Sequence, residues 1–591
     1  MTIDDLENKY PKRDLPIGVE VVRVSPSPTG FVHLGLLYMA SICERIAINS
    51  KGIFILRIED TDTAREVIGT KEKIVEMLAE FGIKYDEGIV NAGLSPDPSP
   101  QERGGIQESI GIYGPYVQSE RKEIYDVCID YLLETGRAYK CYMSVEELDE
   151  LRQLQTENKT RTGVYGQYAK WRPDVAIKRM SQEKYDKFVL ENELDKGDKN
   201  NSNKDSNNSK PKYVIRFYSK GNELNKFKFY DEILGDMEVP ENDEDFVLRK
   251  ADGLPTYHLA HVVDDHYMRT TFVLRGNEWW ASLGKHIELW NAFDWDIPKY
   301  GHLMPINKQE TVNVSNVSKN GTQTQETKLI TRKLSKRKDP EADVQYFLNM
   351  GYMPEAVMAY ILRLLNPSFD DWMRDKIKNN EKININEFKF NLDELRRGGR
   401  GPLLDMPKLN NISSEMFACI NNVKLDNMVR GWALYYDRVF FTALAEQLDY
   451  NPKVFGIERL CFDNYTKLDV RPNKIRKDIV KLSDIKQQYY YFWDELYQEE
   501  KSNRQLDNNY PFSSSISIEL KEKITNLYVS GTIVSMDIWL AQMKEFSTYF
   551  GYDKFANFMH DLRLAITLEE KTPNLYDVMA VMGVERVVSR L

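Results

Sequence analysis

The stretch RVSPSPTGFVHLGLLYMA, Arg23 to Ala40, constrains the fold more than any other. Just before and into it, GVEVVRV (Gly18 to Val24) is Val-rich and reads as a buried strand. SPSPTG cannot continue that strand. Pro26 and Pro28 have no N–H for a ladder, and Gly30 admits dihedrals that other residues avoid. From His33 onward, HLGLLYMASICERIAI sets Leu34, Leu37, Ile42 and Ile46 at helical spacing. The segment therefore reads strand, turn, helix. A helix N-terminus presents unpaired N–H groups and the positive end of the dipole, which suit phosphate. Gly35 lets a ligand approach the backbone, and His33 can donate to a phosphate oxygen. On spacing alone, an ordinary β–α corner reads the same way.

The pattern then repeats. GIFILRIEDTD gives a second buried strand, Ile53 to Ile58, ending in acids, and AREVIGTKEKIVEMLAEFGI a helix with Ile74, Met77, Leu78 and Phe81 on one side. Strands alternating with helices predict an α/β fold with a parallel, doubly wound sheet and ligands at the carboxyl ends of its strands. RVSPSPTG and IEDTD both fall at such ends. A helix-rich stretch follows, in which Ser144 and Glu147 form a capping box. Glu191 to Lys212 is almost free of apolar residues and reads as a disordered surface insertion. KYVIRFY is a strand, and α/β character returns from DGLPTYHLAHVVDDH to NAFDW. Asn307 to Lys328 is a second polar insertion, placed just before RKLSKRKDPEA. From about Leu404 the chain reads mostly helical.

Composition narrows the class. A net charge of -11 argues against non-specific coating of nucleic acid, but leaves room for a local basic face. No apolar run is long enough to span a membrane, and MTIDDLENKY has neither a secretory nor a transit character. The five cysteines form no CxxC pair, so a reducing cytoplasm without disulfides is expected. HLAHVVDDH gathers His258, His261, Asp264, Asp265 and His266, all potential metal ligands. The spacing fits no usual zinc pattern, however, and AHVV reads as a strand with alternating faces. IEDTD admits a carboxylate-pair reading, and KLSKRKD that of a solvated basic loop.

Taken in order, RVSPSPTG, RIEDTDTAR, GPYVQSER, DGLPTYHLAHVVDDH, VLRGNEW and RKLSKRKDPEA resemble a bacterial-type glutamyl-tRNA synthetase, a class I aminoacyl-tRNA synthetase. The terminal LYDVMAVMGVERVVSRL is similar to that family as well. The resemblance covers nearly the whole chain apart from the two polar insertions. It implies a Rossmann-type catalytic domain in two halves, 18–125 and 255–305, split by a tRNA acceptor-binding region at 126–254. A stem-contact region carrying KLSKR follows at 306–403, then an all-helical anticodon-binding region at 404–591.

The resemblance also implies roles. His33 and Gly35 match the first signature motif, at ATP. Lys333, Ser335 and Lys336 match the second, which closes on the triphosphate; His33 and Lys336 are the expected catalytic pair. Arg23, Ser27, Glu59, Tyr257 and Arg275 match positions that hold L-glutamate, and Glu278 falls in the ATP-side loop. Two arginines suit a substrate with two carboxylates. The implied reaction joins L-glutamate to ATP as glutamyl-adenylate, then transfers it to the terminal adenosine of tRNA-Glu. Magnesium is expected with the ATP. Some relatives bind zinc where this chain reads KCYMSVEE; with Cys141 alone and Met143 in place of a second thiol, no zinc is expected. Where the family has AN after the Tyr-His pair, this chain has AH, which puts His261 near the substrates. A glutaminyl enzyme and a non-catalytic tRNA-binding relative are the alternatives. A cytoplasmic monomer with no membrane contact is expected.

Overall fold

The computed structural model describes residues 1–90, 108–194, 213–317, 323–379, 381, 383–396, 401–417, 420, 422–446, 479–504, 511–572 and 574–591. Most of the first polar insertion, 195–212, lies outside them. The chain forms two compact units. One comprises Met1–Gln345, Ile361–Asp375 and Asn384–Leu404; the other Tyr346–Tyr360, Lys376–Ile383 and Asp405–Leu591.

At the centre of the first unit lies a parallel four-stranded sheet in the order Lys299–Leu303, Phe272–Gly276, Val21–Val24, Ile53–Leu56. All four residues of Val21–Val24 are buried, as a strand covered on both faces must be, and so it reads as a continuous apolar run interrupted only by Arg23. The chain starts in the middle of the sheet, runs to one edge, and later returns to fill the other side. The strand order therefore switches between Val21–Val24 and Phe272–Gly276, and at such a switch the strands' carboxyl ends leave a crevice.

The two prolines of SPSPTG stop the first strand, and their carbonyls are reused. Pro26 accepts from Glu59 N (3.0 Å) and Pro28 from Val67 N (2.9 Å), which ties the loops after the first two strands together. The helix Leu34–Ser50 then packs its apolar face on the sheet, with Leu37, Ile42 and Cys43 fully buried. In sequence, the segment between the halves of the parallel sheet forms an antiparallel three-stranded sheet, Ala138–Cys141, Val214–Phe217 and Val247–Arg249. The Ser144–Glu147 capping box is formed. Cys141 is buried in an apolar cluster with Tyr139, Met143 and Leu151.

Two readings of the sequence need correction. AHVV is not a strand: Tyr257–Tyr267 is one α-helix. The β-branched Val262 and Val263 suggested extended chain, but packing against the sheet overrides that weak propensity. The second polar segment is an antiparallel hairpin, Asn307–Val317 with Gln323–Lys333, in register from Asn307 opposite Lys333 to Val317 opposite Gln323. Its sequence is polar on both faces, so it lacks the alternation that marks a half-buried strand, although Thr and Val recur along it. The second unit is helical, as read from the sequence, with Asn422–Tyr436, Met536–Tyr549, Phe555–Thr567 and Leu575–Arg590 among its helices. Trp432, Phe440, Trp493, Phe546 and Phe558 lie in its core.

Candidate active site

The crevice at the switch point holds a cavity of about 190 Å³ lined by Arg23, Ser25, Gly35, Glu59, Tyr257, Arg275 and Trp279, among others. Five of these, Arg23, Gly35, Glu59, Tyr257 and Arg275, were singled out from the sequence. Ser27 is not among the lining residues; it is exposed in the turn. Ser25 lines the wall instead, and its buried hydroxyl has no hydrogen-bond partner in the protein.

A knot of buried charge positions the floor. Asp265, fully buried on the helix Tyr257–Tyr267, accepts from Arg23 Nε (2.9 Å) and from Arg57 Nη1 (2.7 Å). Arg57 also donates from Nη2 to Glu59 Oε1 at 3.2 Å. Burial pushes Asp265 up, but Arg23 and Arg57 outweigh it and hold the carboxyl well below the usual range. Burial raises Glu59 despite Arg57 and Arg23. Glu59 Oε1 is thus engaged by Arg57, and its carboxylate faces the cavity. Tyr257 stacks on Trp279 with centroids 3.8 Å apart, forming one wall.

His261, expected near the substrates, lies directly behind the cavity wall, with its ring stacked near Tyr257 (centroids 5.5 Å) and its Nδ1 3.4 Å from Arg23 Nη2. It is fully buried and absent from the cavity lining. Its Nδ1 faces Asp265 Oδ2 at 2.8 Å and its Nε2 meets the Tyr300 hydroxyl at 3.1 Å. The residues read as a possible metal set have other partners: Asp264 pairs with Arg121 and Asp265 with Arg23 and Arg57, while His258 meets His286, His261 faces Asp265 and His266 faces Glu7. Among the described residues no group of three or more His, Cys, Asp or Glu is arranged to hold a metal.

The His33 corner and the basic loop stand together. His33 caps the helix Leu34–Ser50: its Nδ1 accepts from Gly35 N at 2.9 Å. That leaves the proton on Nε2, available to a ligand. Burial, then Lys336 and Lys333, pull His33 down to about 4, so it is neutral at physiological pH. The KLSKR loop leaves the hairpin at Lys333 and is clasped at its base. Asp339 accepts from both Nη atoms of Arg332 (2.6 and 2.8 Å) and from Ser335 N (2.8 Å), with Lys308 at 3.3 Å. Beyond the loop, Asp343 pairs with His33 as an antiparallel bridge, and Val344 N donates to Val32 O. The two motifs, 300 residues apart in sequence, are therefore stitched together by backbone. Lys336 Nζ sits 4.9 Å from the centre of the Phe31 ring, and Lys333 lies 3.8 Å from Glu278 Oε1. Lys333 and Glu278 are both largely exposed and stand outside the cavity. Phe31, Arg57 and Trp279 were not foreseen as site residues, and Asp265 was considered only as a metal ligand.

Two consequences are measurable. A Cβ on Gly35 would come within 2.9 Å of His33 Nδ1. Gly35→Ala is therefore expected to displace the imidazole and lower kcat for the first chemical step about tenfold, the scale of one lost hydrogen bond. A kcat within twofold of the parent would show that His33 tolerates the shift. The second concerns acid stability. Burial drives His258 and His261 down to about 3 and His286 well below its usual value. Below about pH 6.5 the unfolded chain binds protons on these groups that the folded chain refuses, so stability falls with pH. Each contributes about 1.4 kcal/mol per pH unit. Asp245, raised by burial to about 7, opposes them in that range, because the folded state takes its proton first. His33, His266 and His302 are lowered as well, while Glu44 and Glu59 are raised like Asp245; six histidines against three carboxyls leave a net loss, and the urea midpoint is expected to fall from pH 7 to pH 5. A flat or rising midpoint would contradict it.

Residues 20–330 match the family described as tRNA synthetases class I (E and Q), catalytic domain, and residues 458–591 match one described as an anticodon binding domain. Fold and site together define a class I aminoacyl-tRNA synthetase, an ATP-using ligase. The glutamate–tRNA ligase of Acetivibrio thermocellus is 35% identical over 599 residues, 98% of this chain and 95% of its own length. That of Clostridium perfringens is 33% identical over 603 residues, 99% and 96%. The crystal structure of a glutamate tRNA ligase from Elizabethkingia meningosepticum in complex with its amino acid superposes with a TM-score of 0.64 at 25% identity, covering 97% of this chain and 98% of that one. The chain belongs to the glutamate–tRNA ligase family.

Proposed function

We propose that the cavity at the switch point holds L-glutamate and that the His33–Gly35 corner and the KLSKR loop hold the triphosphate of ATP. The observation that carries this reading is the convergence of Arg23, Glu59, Tyr257 and Arg275 on one cavity bordered by Gly35. Glu59 takes the substrate α-ammonium. The arginines take its two carboxylates, and the Tyr257 hydroxyl fixes a carboxylate oxygen.

The α-carboxylate oxygen of glutamate attacks the α-phosphorus of ATP; that bond forms as the bond to the bridging oxygen of pyrophosphate breaks. In the second step a ribose hydroxyl of the terminal adenosine of tRNA-Glu attacks the acyl carbon, and AMP leaves. No protein nucleophile is needed. The protein supplies positioning and neutralises charge on the phosphates, through the His33 Nε2 proton, the helix N-terminus and Lys336. Lys333, Ser335 and Glu278 extend that surface on the ATP side.

Magnesium would accompany the ATP and would add to the neutralisation of charge on the triphosphate. We read regions 126–254 and 306–403 as contacting the acceptor arm and stem, and the helical part from 404 as meeting the anticodon. The enzyme works in the cytoplasm as a monomer, which sedimentation of the full chain checks; no described helix is long and apolar enough to cross a membrane.

Aminoacylation of purified tRNA-Glu with labelled glutamate tests the whole reading. Arg275→Lys tests the site. Lysine is a point charge without the planar fork, so the KM for glutamate should rise about tenfold or more while the KM for ATP stays within about twofold. An unchanged glutamate KM would move Arg275 to another ligand.

A further inference from the structure

Arg275 differs from the other arginines around the cavity in what surrounds it. It is 4% exposed at the end of the strand Phe272–Gly276. Arg23 and Arg57 each have a carboxylate within 3 Å. Among the described residues no carboxylate comes within ion-pair distance of Arg275. Its Nε donates to His302 Nε2 at 2.9 Å, its Nη1 to His286 Nδ1 at 2.8 Å, and its Nη2 to the Trp279 carbonyl at 3.3 Å.

A guanidinium can only donate, so each imidazole must accept at the atom it turns to Arg275 and carry its proton on the other nitrogen. The surroundings agree. The far nitrogen of His302, Nδ1, meets Asp231 Oδ2 at 2.6 Å, and that of His286, Nε2, meets His258 Nδ1 at 3.0 Å. Both imidazoles are fully buried. The two side chains that accept directly from the arginine are thus imidazoles rather than carboxylates, and Asp231 stands one imidazole further away. A buried charge with no counter-ion is costly unless a ligand supplies one.

We propose that His286 and His302 are positioning residues that hold the Arg275 fork by neutral acceptance, keeping its full charge for the substrate's side-chain carboxylate and so rejecting the neutral amide, glutamine. This rests on the reading of Arg275 as a glutamate ligand. A counter-ion at either histidine position would satisfy Arg275 before substrate arrives, and the energetic difference between a carboxylate and an amide would shrink.

The test uses the full chain with tRNA, and reads the KM for glutamate, the KM for ATP and the Ki of glutamine as a competitor. His286→Glu places a carboxylate beside Arg275. It should cut the ratio of glutamine Ki to glutamate KM about tenfold or more, the scale of one hydrogen bond to a charged group, with the ATP KM unmoved. His286→Gln, which can accept from Arg275 and donate to His258, should hold that ratio within about threefold. If His286→Glu proves unfolded by thermal melting, the pair His302→Gln and His302→Leu decides. Gln keeps an acceptor and should keep the glutamate KM near the parent's, whereas Leu should raise it about tenfold. A folded His286→Glu enzyme with parental discrimination, or equal behaviour of Gln and Leu at position 302, overturns the proposal. If Arg275→Lys also leaves the glutamate KM unchanged, the site reading itself has failed; if only the histidine variants are silent, this inference alone has.

Discussion

Replacing Lys336 by alanine is expected to lower kcat for adenylate formation by roughly 10²–10³, equivalent to about 2.7–4 kcal/mol, the loss seen when one preorganised donor is removed from a reacting oxyanion. The loop that carries Lys336 is held at its base by Asp339, which fastens it to Arg332 and Lys308 of the hairpin. Its ammonium rests against the Phe31 ring, beside the corner that carries His33, and makes no ion pair among the described residues. A cation held ready at the leaving pyrophosphate stabilises the transition state more than the ground state, so the loss belongs to kcat. The KM for glutamate should change far less, because the cavity lining does not include Lys336. His33→Ala should also reduce kcat, and the double variant should lose less than the product of the two if both act on one phosphate charge. Stopped-flow measurement of adenylate formation with tRNA present decides it. A near-parental kcat for Lys336→Ala would reduce KLSKR to a solvated basic loop.

The second large effect falls on stability. Asp265→Ala removes the carboxylate shared by Arg23 and Arg57 and faced by His261, with Thr270 Oγ1 at 3.2 Å. Arg57 keeps Glu59 and a distant Asp264 at 3.8 Å, but Arg23 is left with little beyond the Leu274 carbonyl. Breaking a buried pair in this way costs about 3–5 kcal/mol, because the remaining charge has no water to turn to. Asp265→Asn keeps the shape and some acceptance, and should lose less. Urea unfolding of the three proteins at neutral pH measures this. The folded Asn variant should also show a raised KM for glutamate, since Arg23 and Glu59 both lean on this knot. A loss below about 1 kcal/mol for Asp265→Ala, within the ordinary range for a single substitution, would show that the arginines find other partners.

The family resemblance singled out Arg23, Glu59, Tyr257 and Arg275, and the structure brings all four to one cavity. The sequence did not carry the difference between Ser25 and Ser27. Both follow the strand, two residues apart, and only the path of the proline turn decides which hydroxyl faces inward. The knot behind the cavity was equally hidden. Arg57 and Asp265 lie 208 residues apart, and nothing near either one in sequence names the other as its partner. HLAHVVDDH looked like a strand with metal ligands. As the helix Tyr257–Tyr267 it places His261 and Asp265 one turn apart on one face, where they meet each other and the arginines.

By itself, then, the sequence determined the alternation of strand and helix, the proline-stopped corner at His33 and the helical character of the last third. These are local: they follow from backbone geometry, proline's missing N–H and apolar spacing within a dozen residues. Only the tertiary structure decided which charges are paired. Asp265 pairs with Arg23 and Arg57, while Arg275 meets two histidines and, among the described residues, no carboxylate within ion-pair distance. The hairpin at Asn307–Lys333 was decided there too, since its two strands specify each other across the ladder rather than through a buried face. The physical reason is the same in each case. The energy of a buried charge or of a strand edge depends on what lies opposite it, and no spacing along the chain records that.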